Sequence, residues 1–287
     1  MNTLPVIVST DLDGTLLDHY SYSWADAKPS IDALMQRGIP IVINTSKTFA
    51  EVEQLQKELA LNAPFVVENG SAIYYPKGQY QSDAIFPYNA LFDYQVVGQP
   101  RSEILSALKH LTEEFQYIFE GYNDWSTENI IERTGLTPEG ARLSQQREYS
   151  EPIIWGDSEE RFETFSQQIK SKELRLIRGG RFIHILGQAD KGTALKALTR
   201  SLFGEIPAKL ICLGDGPNDL DMLAIADFPV FIRSPAHDFP EFDTANNTYR
   251  PNDAEAYYTE GHGPAGWHEA MQKILIKLDN NFGDTHG

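Results

Sequence analysis

Short apolar runs alternate with amphipathic helical patterns in the N-terminal part of the chain. The runs Val6–Thr10, 39–44 and 64–68 are rich in β-branched residues and predict buried strands. Helical patterns over 30–37 and from Thr48 onward separate these runs. Such alternation is typical of βαβ units and predicts a parallel sheet that contains all of these strands.

The pattern changes between residues 88 and 189. Longer helical patterns over Arg101–Phe115 and 158–174 alternate there with short strand candidates. The strand candidates lie around Tyr117, Ile153, Leu176 and Phe182. We therefore predict an inserted α+β domain over 88–189 and a core domain formed by 1–87 together with 190–287.

The α/β pattern returns after the insertion. A helix is predicted over Lys191–Phe203, and a buried parallel strand over Lys209–Gly214. From Ile232 onward the chain is rich in Pro, Asp, Asn and His, and a helix is predicted there only over 265–278. The chain as a whole predicts an α/β fold, with a Rossmann-like, doubly wound parallel-sheet core and the α+β insertion.

The composition of the chain limits the classes of partner that it can bind and the cellular compartments in which it can occur. The 287 residues include 41 acidic and 24 basic side chains, a net charge of −17, which argues against sequence-independent affinity for nucleic acid or an anionic membrane. Cys212 is the single cysteine, so an intrachain disulfide and a cysteine-based zinc site are excluded. We find no signal-peptide pattern and no apolar stretch of membrane-spanning length, and predict a cytoplasmic protein.

Two carboxylates follow the first predicted strand. Asp11 and Asp13 lie one residue apart, so they can face one reacting centre, and Gly14 lets the backbone turn close to a ligand. Ligands of open α/β sheets bind at the carboxyl ends of the strands, where these side chains lie. An Asx-rich turn without a chemical role is the alternative interpretation.

A second acidic loop follows the strand Lys209–Gly214. It contains Asp215, Asn218 and Asp219, and oxygen ligands from two such loops are what Mg²⁺ requires. A role in capping the following helix would explain in part why Asn and Asp occur at positions 218 and 219. It would not explain why Asp215 and Asp219 lie together in an acidic loop if no cation neutralises their charge.

Two further residues, Thr45 and Lys191, could donate hydrogen bonds to phosphate oxygens. Thr45 follows the second predicted strand, and Lys191 begins a predicted helix, where the helix dipole disfavours an ordinary surface lysine. A helix cap and a solvated lysine are the alternative interpretations for these residues.

These elements, in this order, resemble the haloacid dehalogenase-like superfamily of aspartate-dependent phosphohydrolases. Asp11-Leu-Asp-Gly-Thr-Leu matches the first motif, Thr45 the second, Lys191 the third, and Gly-Asp-Gly-Pro-Asn-Asp over 214–219 the fourth. The insertion lies between the second and third motifs, the position of type 2 cap domains. Within the superfamily, the stretches 43–48, 67–73, 147–152 and 178–184 resemble mannosyl-3-phosphoglycerate phosphatases.

The resemblance implies a magnesium-dependent phosphatase with an aspartyl-phosphate intermediate. Asp11 would be the nucleophile and Asp13 the general acid and base. Asp11, Asp215 and the main-chain carbonyl of Asp13 would bind Mg²⁺, with Asp219 behind these ligands. Thr45 and Lys191 would hold phosphate oxygens.

The resemblance further implies a small-molecule phosphate ester that carries a glycerate carboxylate. Guanidinium groups match carboxylates bidentately, although each could instead form a surface ion pair. The candidate substrate-binding residues are Lys47, Asn69, Arg147, Arg178, Arg181 and Asn218. A broader sugar-phosphate phosphatase, a phosphomutase and a non-catalytic binding protein remain alternative functions.

Overall fold

The computed structural model describes residues 4–80, 82–179, 181–242 and 254–283. The strands are β1 Val6–Thr10, β2 Ile41–Ile43, β3 Phe65–Val67, β4 Ala72–Pro76, β5 Phe86–Pro87, β6 Phe92–Val96, β7 Phe119–Gly121, β8 Ser150–Trp155, β9 Arg175–Arg178, β10 Ile183–Leu186, β11 Lys209–Gly214, β12 Phe228–Arg233 and β13 Tyr257–His262. The helices are α1 Lys28–Gln36, α2 Phe49–Glu58, α3 Arg101–Phe115, α4 Thr127–Thr134, α5 Pro138–Ser144, α6 Glu159–Ser171, α7 Lys191–Phe203, α8 Leu220–Leu223 and α9 Gly263–Gly283.

The chain divides into two compact units, and the first consists of Met1–Thr45 and Leu195–Gly287. Its five-stranded sheet has the order β13-β12-β11-β1-β2, and all neighbouring strands are parallel. β1 is therefore internal, and its residues Ile7 and Val8 are fully buried, as expected for a strand covered on both faces. This arrangement confirms the predicted α/β fold with a parallel central sheet.

Helix α9 packs against this sheet and confirms the helix predicted over 265–278. Trp267, Met271, Ile274 and Leu278 are buried and recur at helical spacing along one face. The strands β12 and β13 contact the helix, so its apolar face forms part of the core of the first unit.

The second unit, Ser46–Ala194, contains two antiparallel sheets of four strands. One has the order β3-β4-β6-β5, and the other has the order β7-β8-β10-β9. Helices α3 and α6 cover one face of the second sheet through Ile104 and Phe165, which pack with Ile153 and Ile183 of the strands. The α+β character predicted for the insertion is thus present in this unit.

The division between the units differs from the predicted boundaries at 88 and 189. Residues 46–87 cluster with the second unit, because β3 forms a hairpin with β4 and does not join the parallel sheet. The prediction that 64–68 is a strand of that sheet is wrong. The short connection between β3 and β4 allows antiparallel pairing, whereas a parallel neighbour needs a long crossover.

Helices that could cross a membrane are absent from the described residues, since none combines sufficient length with sufficient apolar character.

Candidate functional site

The strand register of the first unit brings three sequence motifs to one edge of the sheet. Thr10 of β1 lies beside Leu213 of β11 and beside Ile43 of β2. The residue after each strand continues this alignment: Asp11 N donates to the Leu213 carbonyl at 3.0 Å, and Asn44 N donates to the Thr10 carbonyl at 2.8 Å. The first, second and fourth motifs therefore begin at the carboxyl ends of adjacent strands.

A cluster of buried carboxylates lies at this edge. One oxygen each of Asp11, Asp215 and Asp219 lies within 4.8 Å of the others. Thr15 Oγ1 donates to Asp215 Oδ1 at 2.9 Å, which orients that carboxylate. Asp219 Oδ2 accepts from the backbone N–H groups of Asp215 and Gly216 at 3.0 and 2.9 Å, and so holds the loop after β11 in shape.

The cluster is electrostatically costly without a cation. Burial raises the pKa of the Asp215 carboxyl, and the negative charge of Asp11 acts in the same direction. Hard divalent cations bind carboxylate oxygens from several chain segments, and the oxygens in this cluster converge from two loops. The donor set thus fits a divalent cation, to which Asp11, Asp215 and Asp219 can each offer one oxygen.

His237 is a neighbour of this cluster that the sequence did not predict. Its Nε2 lies 3.4 Å from Asp215 Oδ2, and this hydrogen bond raises the pKa of His237 to about 9. The imidazolium partly offsets the burial cost of the Asp215 charge. His237 belongs to the Pro- and Asp-rich segment, in which no periodic pattern predicted its position.

Gly14 permits the close approach of the two acidic loops. Its φ is +79°, and a Cβ at this position would lie 2.5 Å from Asp215 Oδ2. A larger residue would therefore adopt a disfavoured backbone conformation and displace the Asp215 carboxylate as well.

We expect Gly14→Ala to reduce activity at least about tenfold, because displacement of Asp215 misplaces a carboxylate of the cluster. Gly38→Ala is the matched control: its φ is +66°, yet no atom lies within 4 Å of its added Cβ. Steady-state kinetics measure the loss of activity that displacement of Asp215 causes, and thermal unfolding measures the loss of stability that backbone strain causes. Equal activity loss in both variants would show that backbone strain, rather than the contact with Asp215, is responsible.

The other predicted residues of the first unit lie near the ends of the same strands. Thr45 is buried and follows β2 by two residues. Asp13 is partly buried in the loop after β1, where Gly14 N donates to the Leu17 carbonyl at 2.9 Å. Asn218 lies in the 3₁₀ turn Pro217–Asp219. The structure brings Asp11, Asp215 and Asp219 into one cluster, and the chemical roles of all these residues stay predictions.

Lys191 and Asn69 belong to the second unit. Lys191 is fully buried at the first position of α7, whose N-terminus Asp190 caps by accepting from Thr193 N at 2.6 Å. Asn69 is buried and has a φ of +57°. The Cβ of an alanine at Gly70 would overlap the Asp190 carbonyl oxygen, so the Asn69 turn and the start of α7 are closely packed.

Arg147 is the candidate substrate residue with the clearest unused hydrogen-bonding capacity. Its Nη1 donates to the Ser46 carbonyl and to Ser150 Oγ, both at 3.1 Å, and its guanidinium lies 4.9 Å from the ring centre of Tyr122. Its Nε is buried and has no hydrogen-bond partner among the described residues. The contacts of Nη1 and of the guanidinium therefore hold the Arg147 side chain in place, while its Nε–H remains available as a hydrogen-bond donor.

The other candidate substrate-binding cations, Arg178, Arg181 and Lys47, form ion pairs or bind a carbonyl at a helix end. Arg178 lies 3.6 Å from Glu159 and over the ring of Phe162, on the face of the sheet that α6 covers. Arg181 donates to the Thr134 carbonyl at the end of α4. Lys47 lies 3.7 Å from Glu51, one turn later in the chain. For Arg178 these contacts favour the surface ion pair, which was the alternative interpretation.

His184 lies in β10 and is buried inside the second unit. Burial, together with the positive charges of Arg147 and Lys191, lowers the pKa of His184 to about 3. Its imidazole is therefore neutral at physiological pH. The Nδ1 atom is buried and lacks a partner among the described residues.

Known proteins resemble the chain along nearly its whole length. It is 34% identical over 279 residues to the glucosyl-3-phosphoglycerate/mannosyl-3-phosphoglycerate phosphatase of Persephonella marina, which covers 96% of this chain and 98% of that protein. A protein of the same name from Methanococcoides burtonii is 34% identical over 281 residues, with 96% and 98% coverage.

Solved structures share the fold at lower identity. The sucrose-phosphatase of Synechocystis, solved with sucrose and phosphate, superposes with a TM-score of 0.60 at 16% identity and covers 94% of this chain and 98% of its own. A Streptococcus mutans protein reaches a TM-score of 0.64 at 21% identity, with 95% and 99% coverage. The profile of the haloacid dehalogenase-like hydrolases matches residues 8–238. The chain therefore belongs to the haloacid dehalogenase-like hydrolase family.

Proposed function

We propose that the protein is a magnesium-dependent phosphatase that removes the phosphate group of mannosyl-3-phosphoglycerate or glucosyl-3-phosphoglycerate. The observation that carries this proposal is the full-length similarity to phosphatases named for these esters. The buried carboxylate cluster supports it, because the cluster supplies both a nucleophile and cation ligands at the carboxyl edge of the sheet. The single buried cysteine fits a reducing compartment, and we place the protein in the cytoplasm.

Hydrolysis proceeds in two displacements. A carboxylate oxygen of Asp11 forms a bond to phosphorus, and the bond from phosphorus to the glycerate oxygen breaks as Asp13 donates its proton to that oxygen. Water then attacks phosphorus, Asp13 takes its proton, and phosphate leaves as the Asp11 carboxylate is regenerated. Asp11 and Asp215 would hold Mg²⁺, which would supply positive charge against the repulsion between carboxylate and phosphate.

Phosphate oxygens need donors besides the cation. Thr45 supplies a hydroxyl two residues after β2, and Lys191 supplies an ammonium group at the N-terminus of α7, where the helix dipole also favours an anion. Lys47, Asn69 and Asn218 are secondary candidates for contacts with the substrate. These groups make local binding of an anion possible although the chain as a whole carries a charge of −17.

Arg147 binds the glycerate carboxylate in this proposal. Its Nη1 is already held by the Ser46 carbonyl and by Ser150 Oγ, so little side-chain entropy is lost when Nε donates to a ligand. Burial strengthens such a charge-assisted hydrogen bond, because water competes less for the donor. Arg147 would then select for esters that carry a carboxylate on the carbon next to the phosphate-bearing carbon.

We expect Arg147→Met to raise the KM for mannosyl-3-phosphoglycerate about 10- to 100-fold, since a hydrogen bond to a charged group contributes about 1.5–3 kcal/mol. The KM for p-nitrophenyl phosphate, which has no carboxylate, should change much less. Arg178→Met removes an arginine that pairs with Glu159 and serves as the matched control. An equal loss for both substrates in Arg147→Met would contradict carboxylate recognition by this residue.

A phosphate-release screen tests the proposed function directly. Mannosyl- and glucosyl-3-phosphoglycerate should show values of kcat/KM well above those of simple hexose phosphates. Similar values for all esters would indicate a general sugar-phosphate phosphatase. Transfer of phosphate to another hydroxyl without release would indicate a phosphomutase. Absence of turnover on the whole panel, with metal binding intact, would indicate a non-catalytic binding protein.

A further inference from the structure

We propose that Trp267, near the start of α9, is a positioning residue for the nucleophile loop, and that it acts through the hydroxyl of Thr10. This inference rests on the proposed function, because it takes Asp11 as the nucleophile. Trp267 is distant in sequence from all of the motifs described above, and its indole reaches the residue that directly precedes Asp11. The inferred role concerns the geometry of the Asp11 peptide rather than contact with the substrate.

A buried chain of hydrogen bonds joins α9 to the Asp11 backbone. Trp267 Nε1 donates to Thr10 Oγ1 at 3.0 Å, and Thr10 Oγ1 donates to the Asp11 carbonyl oxygen at 2.8 Å. Trp267 and Thr10 are both 0% exposed. Water therefore has no access to replace either bond, and each donor has a fixed acceptor.

The hydroxyl of Thr10 has a single proton, so its two bonds depend on each other. Because the indole N–H occupies a lone pair of Oγ1, the hydroxyl proton is directed toward the Asp11 carbonyl. That carbonyl belongs to the peptide group between Asp11 and Leu12. Rotation of this peptide group would change the spacing of the Asp11 and Asp13 carboxyl groups, of which Asp11 attacks phosphorus and Asp13 protonates the leaving oxygen.

The start of α9 also packs against the loop that carries these carboxylates. A Cβ on Gly263, the first residue of α9, would lie 3.5 Å from Asp18 Cα, 3.6 Å from the Leu17 carbonyl oxygen and 3.8 Å from the Gly14 carbonyl oxygen. An alanine at this position would make ordinary van der Waals contacts with the loop. The start of α9 thus lies next to the end of the loop, while Trp267 bonds to the residue before it.

A second hydrogen bond anchors this part of α9. His268 Nδ1 and Ser30 Oγ of α1 are 2.7 Å apart, and Ser30 is buried. The helix is therefore fixed to α1 at the residue after Trp267. A fully buried indole on a helix anchored in this way can maintain its hydrogen bond with little positional freedom, which is the property a positioning residue requires.

The test compares Trp267→Phe and Thr10→Val with the double variant and with Thr10→Ser, which keeps the hydroxyl. We expect each of the first two changes to lower kcat for mannosyl-3-phosphoglycerate about 10- to 100-fold, as a displacement of about 1 Å at a reacting group does, with KM within about twofold. The double variant should lose no more than the stronger single variant, because both changes break the same chain. Thr10→Ser should retain most of kcat.

The control is Trp155→Phe, which removes an indole that donates to the Ser158 carbonyl at 3.1 Å in the second unit. Thermal unfolding and circular dichroism give the folded fraction of every variant, and kcat is calculated per folded molecule. A merely structural role for Trp267 would lower stability while leaving kcat per folded molecule and the kcat-to-KM pattern unchanged.

Three outcomes overturn the inference. The first is an unchanged kcat per folded molecule in Trp267→Phe and Thr10→Val. The second is a multiplicative loss in the double variant, which would mean that the two residues act independently. The third is an inactive wild-type protein, which would remove the proposed function and this inference together, whereas the first two outcomes leave the proposed function in place.

Discussion

Asp11→Asn is expected to abolish phosphatase activity, with a loss of kcat of about a thousandfold or more, because an amide oxygen does not form the covalent phosphoryl intermediate. Phosphate release from mannosyl-3-phosphoglycerate measures this loss. The matched control is Asp18→Asn in the same loop, where Oδ1 accepts from Ser21 N at 2.8 Å away from the carboxylate cluster. Substantial activity in Asp11→Asn would exclude Asp11 as the nucleophile.

Although Asp11→Asn is expected to abolish activity, we do not expect it to destabilise the fold. The negative charge of Asp11 raises the pKa of Asp215, so the two carboxylates repel each other in the folded protein without a cation. The uncharged amide relieves this repulsion. In the absence of divalent cations we therefore expect Asp11→Asn to unfold at a temperature equal to or above that of the wild type, while Asp18→Asn should not gain stability. A marked decrease for Asp11→Asn would show that its carboxylate stabilises the fold.

Removal of divalent cations by EDTA should eliminate activity, and added Mg²⁺ should restore it. Mg²⁺ should also raise the melting temperature, since a ligand at about 100 times its Kd stabilises the folded state by about 2.7 kcal/mol. The gain should be smaller in Asp215→Asn, which removes one charged ligand of the buried cluster. Hydrolysis that persists in EDTA would contradict the proposed role of the cluster.

An exposed carboxylate provides the control for this measurement. Asp279→Asn changes the net charge by the same amount as Asp215→Asn, but its side chain is 57% exposed and lies 2.9 Å from Arg37. The Mg²⁺-dependent rise in melting temperature should be unchanged in this variant. An equal reduction in both variants would indicate weak binding to the general negative charge of the protein.

Local sequence signals predicted several elements with their observed bounds. α3 and α7 begin and end at the predicted residues, because their helical patterns of apolar residues extend over these ranges. β1 and β11 also have the predicted bounds, since each is a short apolar run that ends where an acidic loop begins. Among the described residues, the sequence did not predict the strands β4, β5, β6, β12 and β13 or the helices α4 and α5.

Local sequence signals also predicted part of the candidate site, namely the carboxylates that follow apolar strands. Asp11 and Asp215 could be paired from the sequence because each follows an apolar strand, and parallel strands place such residues at the same edge. His237 and Trp267 gave no local signal. Their roles depend on contacts with Asp215 and Thr10, which are separated from them by other elements of the fold.

The sequence by itself determined the α/β class, the order of the motifs and the presence of two acidic loops beside an apolar core. The tertiary structure decided the division after Thr45 and before Leu195, the separate sheet that contains β3, and the position of the Trp267 indole behind Thr10. Hydrophobic periodicity reports which face of a single element is buried. Strand order and contacts between distant residues arise instead from competition among alternative pairings, which the folded chain resolves through packing.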